Sequence, residues 1–248
     1  MDRVSGLTAP AGTRFISQFA FLSDMRVGVL FSGGKDSCLA FKYAQEKNDV
    51  VCLISLISKN KESYMFHTPN VHLTALQAQA IGISHIPWET EGEKELELED
   101  LKAAIAEGVR LYRIEGVVTG AIASVYQSSR VQRICDELGL RCLNPLWQKE
   151  QMEVLDEVKD WEVVVCGVFA DHLDEGWLGE RIDEDAVCEL ARLRDKYGIN
   201  PSGEGGELET TVLWAPFFRK RIAVVESEIE YENGSGTYQI KSAKLVAR

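Results

Sequence analysis

Ser32-Gly33-Gly34-Lys35-Asp36-Ser37 joins a continuous apolar run, Val27 to Phe31, to a helical pattern from Lys35 to Lys47. A strand, a glycine turn and a helix in immediate succession leave few folds open. The glycines let the main chain approach an anion, free N–H groups at the helix start donate to it, and the helix dipole favours negative charge. Ser32 and Ser37 add hydroxyls and Lys35 a positive charge, while Asp36 fits such a cradle as a Mg²⁺ ligand or as a group that orients the loop. The segment is not a Walker A loop, because five residues separate Gly28 from Gly34-Lys35 and Asp36 stands where Ser or Thr is required. Nor is it GxGxxG. The plain alternative is a capped turn with Asp36 or Ser37 as the helix cap. All six residues in a strand–loop–helix context favour the phosphate site.

From Met25 onward, apolar strand runs alternate with helical patterns. The second strand is Val50 to Leu56, followed by a helix over Val71–Ile81 and a short strand over Ser84–Trp88. A helix from about Glu93 to Val109 puts Leu98, Leu101, Ile105 and Val109 on one face. A strand at Gly116–Thr119 precedes a helix carrying Val131, Ile134, Cys135 and Leu138. Strands buried on both faces and separated by helices predict a parallel sheet with right-handed crossovers. After about Gly139 the pattern is mixed: a helix near Glu150–Val158, a strand at Glu162–Val168 that still reads as α/β, irregular chain over Asp171–Glu180, and a helix through Ala186, Leu190, Leu193 and Tyr197. Arg221–Ala247 reads as a β-hairpin around Asn233-Gly234. The expected organisation is an extension outside the core fold over residues 1–24, a nucleotide-binding domain over 25–140 and a smaller α+β substrate-binding domain over 141–248.

Composition narrows the partners. A net charge of −12 provides no basic field for nucleic acid, and no apolar run approaches the roughly 20 residues of a membrane span. Six scattered cysteines without CxxC, and no secretory signal, predict reduced thiols in the cytoplasm. The seven carboxylates between Glu89 and Asp100 read as a solvated helix start that complements the dipole. No histidine spacing supports a zinc site.

SGGxDS in this position resembles the signature of the PP-loop ATP pyrophosphatases. The resemblance implies an adenine-nucleotide α-hydrolase-like parallel sheet that binds ATP and splits it to AMP and pyrophosphate. Three further segments narrow the choice. Gly120-Ala-Ile-Ala-Ser-Val-Tyr-Gln-Ser-Ser-Arg130 follows a strand at the carboxyl edge, where ligands of doubly wound sheets bind. Asn144-Pro-Leu-Trp147 is a rigid turn with a large aromatic. Gly203-Glu-Gly-Gly-Glu-Leu-Glu-Thr210 concentrates Glu204, Glu207 and Glu209 in what reads as a flexible acidic loop. Alone it would be a bland turn; beside ATP-dependent amide synthesis its carboxylates can attract ammonium or take its proton.

Together with Tyr64-Met-Phe-His-Thr-Pro-Asn70 and Glu175-Gly-Trp-Leu-Gly179, these segments resemble the diphthine–ammonia ligase family, over about Val27 to Trp214. The resemblance implies amidation of the diphthine carboxylate on translation elongation factor 2, with ATP and ammonium consumed and AMP and pyrophosphate released through an acyl-adenylate. The chain has only the ligase core, so an archaeal-type enzyme is expected. A homodimer is the working expectation for its assembly.

By the same resemblance, Ser32, Gly33, Gly34, Asp36 and Ser37 hold phosphates and Mg²⁺, with Lys35 as a phosphate clamp. Gly120, Ala121, Ser124, Gln127 and Arg130 line the nucleotide and α-phosphate region. His67 and Asn70 approach the nucleotide from the loop after the second strand, unless His67 only braces that loop. Glu204, Glu207, Glu209 and Thr210, with Gly205 and Gly206, face diphthine or ammonium. Diphthine carries a trimethylammonium group that cannot donate ordinary hydrogen bonds, so Trp177, Trp147 or Tyr126 with a glutamate is a candidate cage for it. Two rivals stand beside this reading: a tRNA-modifying PP-loop enzyme, disfavoured by the missing CxxC and the acidic charge, and a nucleotide-binding sensor without chemistry, which a shared fold does not exclude.

Overall fold

The computed structural model describes residues 25–60, 69–93 and 96–247. The expected extension over residues 1–24 lies outside the described residues. In chain order the elements are β1 (Arg26–Leu30), α1 (Lys35–Gln45), β2 (Asp49–Ser58), α2 (Thr74–Ile81), β3 (Ser84–Thr90), α3 (Leu96–Tyr112), β4 (Gly116–Val118) and α4 (Val125–Leu138). They continue with β5 (Arg141–Leu143), α5 (Gln151–Val158), β6 (Glu162–Val168), α6 (Glu184–Tyr197), β7 (Leu208–Trp214), β8 (Arg221–Glu232) and β9 (Ser235–Val246).

The first five strands form a parallel sheet in the order β3-β2-β1-β4-β5. The alternation read from the sequence is realised residue by residue. Val27, Val29 and Phe31 of the β1 segment point into a core that contains Leu39 and Phe41 of α1. Cys52, Ile54 and Leu56 of β2 point the other way, onto Leu101 and Ile105 of α3 and Ile134 of α4. Strand order reverses at β1, with β2 on one side and β4 on the other, so a crevice opens at the carboxyl ends of β1 and β4.

The remaining strands form a second, antiparallel sheet in the order β7-β6-β9-β8. The fold is therefore α/β with a parallel sheet, joined by an α+β unit, as expected. Two details differ. Strand β6 does not continue the parallel sheet; its apolar run is buried between β7 and β9. The acidic segment expected to be a flexible loop is a strand from Leu208 onward, because Leu208, Thr210, Thr211, Val212 and Leu213 are buried there. The hairpin turn has positive φ at both Asn233 (54°) and Gly234 (82°), the geometry that suits a right-twisted two-residue turn.

One continuous apolar core runs through both sheets, taking in Val29, Leu39 and Phe41 together with Val165, Val212, Phe218 and Ile240. Trp161 sits within it, edge-on to Phe217 at 5.5 Å. No helix among the described residues is long and apolar enough to cross a membrane. The shared core predicts one cooperative unfolding transition, with tryptophan fluorescence and far-ultraviolet dichroism coincident in urea. Trp161→Ala should lower stability by about 3–5 kcal/mol and keep the two signals together; a variant that separates them would contradict the shared core.

Candidate functional site

The loop after β1 is built by hydroxyls. The Phe31 carbonyl accepts from Ser55 Oγ at 2.6 Å, and His85 Nε2 lies 2.9 Å from the same hydroxyl. Burial lowers the His85 pKa, which favours the neutral imidazole in this chain of bonds. The main chain then turns through Gly33 at φ 84° and enters α1 with Gly34 in the capping position. Ser37 Oγ accepts from Gly33 N–H at 3.1 Å and donates to the Gly34 carbonyl at 3.0 Å. Lys35 N–H donates to Thr210 Oγ1 at 3.1 Å, and Val212 N–H donates to the Gly33 carbonyl at 3.0 Å. The cradle is thus fastened to β7 of the second sheet.

A cavity of about 430 Å³ opens at this point, at the carboxyl ends of β1 and β4. Ser32, Gly34, Lys35, Asp36 and Ser37 form one wall, and Gly120, Ala121, Ser124, Tyr126 and Gln127 a second. Gly203, Glu204, Gly205 and Gly206, with Glu209 and Thr210, close a third side. The depth is apolar: Leu30, Ile54, Leu56, Leu101 and Val131 line it. An apolar slot ending in an anion cradle is the division a purine nucleotide requires. Gly120 permits the close approach of two walls, since a Cβ there would lie 2.9 Å from the Asp36 carbonyl carbon and 3.0 Å from Ser37 N.

Charge in the cavity is arranged differently from the sequence expectation. Lys35 is 2% exposed, and its ammonium bonds Asp36 Oδ2 at 2.9 Å and the Ser202 carbonyl. It lines the cavity while anchored to the 202–206 segment, rather than reaching freely toward a phosphate. Glu204 Oε1 accepts from Ala123 N–H and Ser124 N–H, both at 2.7 Å. This carboxylate complements the positive end of α4, whose first turn Ser124 also caps through Gln127 N–H. Glu209 stands on β7 inside the cavity. Burial pushes its carboxyl up to about 7, with Lys35 opposing and Asp36 adding to the rise. Asp36 Oδ1 is buried with no hydrogen-bond partner, an unengaged carboxylate oxygen that fits a cation. Among the described residues no three His, Cys, Asp or Glu converge on a metal, and Asp36 is the cavity residue that would hold Mg²⁺.

Several expected site residues stand elsewhere. Glu207 turns out of the cavity, its Oε1 accepting from Asn200 N–H at 3.4 Å. Asn70 is buried and joins the second sheet, donating to the Tyr238 carbonyl at 2.9 Å and accepting from Ile240 N–H at 2.7 Å. His67 lies outside the described residues. Arg130 does not line the cavity; its guanidinium lies 3.3 Å from the centroid of the Tyr126 ring. That ring already has a cation on its face. Trp177 packs half-buried against the core, and Trp147 is 37% exposed away from the cavity. Of the three aromatics, Tyr126 lines the cavity and the two tryptophans do not. No cysteine lines the cavity among the described residues, and Cys38, buried in α1, has its thiol raised well above its ordinary range by burial and then by Asp36.

Gln77 is a residue the sequence reading passed over. It is 1% exposed, on the buried stripe of α2, and its side-chain amide donates to the carbonyls of Gly33 and Val212, both at 2.8 Å. A glutamine among Leu73, Ala78 and Ile81 on one helical face was the available signal.

Family models described as the diphthamide synthase N-terminal domain and C-terminal domain match residues 25–142 and 148–246. A diphthine–ammonia ligase of Rattus norvegicus is 35% identical over 229 residues, covering 82% of this chain and 84% of that protein. Its counterpart in Homo sapiens is 33% identical over 230 residues, with 83% and 85% covered. A solved structure described as a predicted subunit of tRNA methyltransferase from Methanocaldococcus jannaschii aligns with a TM-score of 0.42 and 18% identity, covering 77% of this chain and 97% of that one.

Two outcomes follow from this geometry. Gly120→Ala should push the start of α1 away from the second wall and weaken ATP binding about tenfold or more by calorimetry, with the fold retained. For Glu209, between its ordinary value of 4.5 and about 7, the unfolded chain is ionised while the folded chain keeps the proton. The folded state then binds more protons, so stability falls as pH rises through that window. Urea unfolding at about pH 5 and about pH 7 should show this fall, and Glu209→Gln should remove its share of the slope.

Proposed function

Since the chain belongs to the diphthamide synthase family, we propose that it is the ATP-dependent ligase that amidates the diphthine carboxylate of translation elongation factor 2 with ammonium. The observation that carries this reading is the shared cavity: the anion cradle of Ser32–Ser37 and the carboxyl of Glu209 line one space of about 430 Å³.

In the first step a carboxylate oxygen of diphthine attacks the α-phosphorus of ATP. The bond from that phosphorus to the bridging oxygen breaks, and pyrophosphate leaves with the electron pair. The start of α1 supports the departing charge with main-chain dipoles already oriented by Ser37 and Thr210. Asp36 is the residue that would hold Mg²⁺, which neutralises phosphate oxygens when bound. In the second step ammonium gives a proton to Glu209, ammonia attacks the acyl carbon, AMP leaves with the electrons of the C–O bond, and the surplus proton on nitrogen goes to the departing phosphate. A carboxyl near 7 is a better proton acceptor than an ordinary carboxylate and still ionises at neutral pH. Glu204, bonded to the main chain at the start of α4, ties the 203–206 segment to the second wall of the cavity.

Pyrophosphate release with diphthine-bearing elongation factor, ATP and ammonium tests the reading. Release is expected to require the diphthine-bearing factor and ATP, amide formation to require ammonium as well, and Asp36→Asn to lower release by about a hundredfold or more. Glu209→Gln should lower amide formation about tenfold or more while pyrophosphate release persists. Release driven by bulk tRNA would replace this reading with a tRNA-modifying activity. ATP binding without release under any condition would leave only a sensor.

A further inference from the structure

Gln77 carries an oddity that packing does not explain. Its Nε2 makes two hydrogen bonds, yet its Oε1 is buried with no hydrogen-bond partner. The amide orientation follows from its neighbours: both groups facing Nε2 are carbonyls, so the nitrogen must point to them. An orphaned buried carbonyl opposes folding, and what the amide gains in return is the pair of bonds from its Nε2.

The two carbonyls it joins belong to different parts of the site. Gly33 is in the phosphate cradle, and Val212 is on β7 three residues beyond Glu209. The Gly33 carbonyl also accepts from Val212 N–H at 3.0 Å, and Lys35 N–H reaches Thr210 Oγ1 at 3.1 Å. Gln77 thus closes a three-way junction of α2, cradle and strand. Space there is tight, because a Cβ on Gly33 would lie 2.2 Å from Gln77 Oε1.

Building on the ligase reading, we propose that Gln77 is a positioning residue that sets the register between the phosphate cradle and Glu209, and so couples ATP cleavage to nitrogen transfer. Without it the cradle still binds ATP and forms the acyl-adenylate. The proton acceptor on β7 drifts, and water takes the adenylate before ammonia does, returning diphthine and AMP. A displacement of about 1 Å at a reacting group is enough to cost around a hundredfold in rate.

The test compares Gln77→Met, which keeps side-chain length and loses both donors, with His72→Ala, which removes a contact from the neighbouring turn to the Ile240 carbonyl on β9. Gln77→Met is expected to change the KM for ATP by less than about threefold while amide formed per AMP released falls about threefold or more. His72→Ala should leave that ratio unchanged. In the Glu209→Gln background, Gln77→Met should have little further effect on the ratio, since the two act through one step. A second measurement needs no amide formation. Pyrophosphate added to the wild-type chain should slow amide hydrogen exchange over residues 208–214, and in Gln77→Met pyrophosphate should still bind while that protection is lost. Protection that survives in Gln77→Met, or is absent in wild type, overturns the proposal, as does an unchanged amide-to-AMP ratio. A wild-type chain that shows the protection but makes no amide would sink the ligase reading and leave the bridge standing. Should Gln77→Met fail to fold, Gln77→Asn, one methylene shorter, should uncouple partially; full coupling and full protection in it would overturn the proposal equally.

Discussion

The site depends on the bonds that lace the phosphate loop to β7. A glycine-rich turn has little stability of its own, because its residues lose much conformational entropy on ordering and bury few side-chain atoms. Here Thr210 Oγ1 receives Lys35 N–H, Val212 N–H reaches the Gly33 carbonyl, and Gln77 bridges Gly33 to Val212. The turn is therefore ordered by a strand from the other sheet, nearly 180 residues further along the chain. That lacing also brings Glu209 to the cavity, since it neighbours Thr210 on the same strand.

Electrostatics follow from this closeness. Three carboxylates and one ammonium, Asp36, Glu204, Glu209 and Lys35, line a cavity of about 430 Å³. Lys35 balances Asp36, and the main-chain dipoles at the start of α4 balance Glu204. Glu209 lacks a comparable partner, and burial raises its carboxyl. Four ionisable groups in one cavity thus come to have different electrostatic environments, the condition that sets carboxyl groups apart in pKa.

Much of the fold was legible in the chain. Val27 to Phe31 and Val50 to Leu56 read as buried parallel strands because both faces of each are covered, and that leaves near-continuous apolar runs. The hairpin at Asn233-Gly234 was legible because few residue pairs tolerate two positive φ angles in succession. Strand β5 was not: Arg141–Leu143 is short, lies at the sheet edge and is incompletely buried, so it carries no apolar run of the kind that marks β4. Strand β7 was masked by its glutamates: the run from Gly203 to Thr210 carries enough charge and glycine to resemble solvated loop, while its burial comes from contacts made after folding. Asn70 bonds into the second sheet and Trp177 packs against the core, through partners that chain order does not reveal.

By itself the sequence determined the local devices: a strand that runs into Ser-Gly-Gly-Lys-Asp-Ser, the helix that begins there, and the alternation that lays four strands side by side. These are short-range matters of backbone freedom, capping and period, and the residues involved lie next to one another in the chain. Only the tertiary structure decided which of three glutamates bonds the start of α4, which turns away and which stands in the cavity with its carboxyl raised. It alone showed that a glutamine on α2 joins the two halves of the site. A carboxylate's role is set by solvent access and by the charges within a few ångströms of it, and those neighbours come from segments that meet only when the chain has folded.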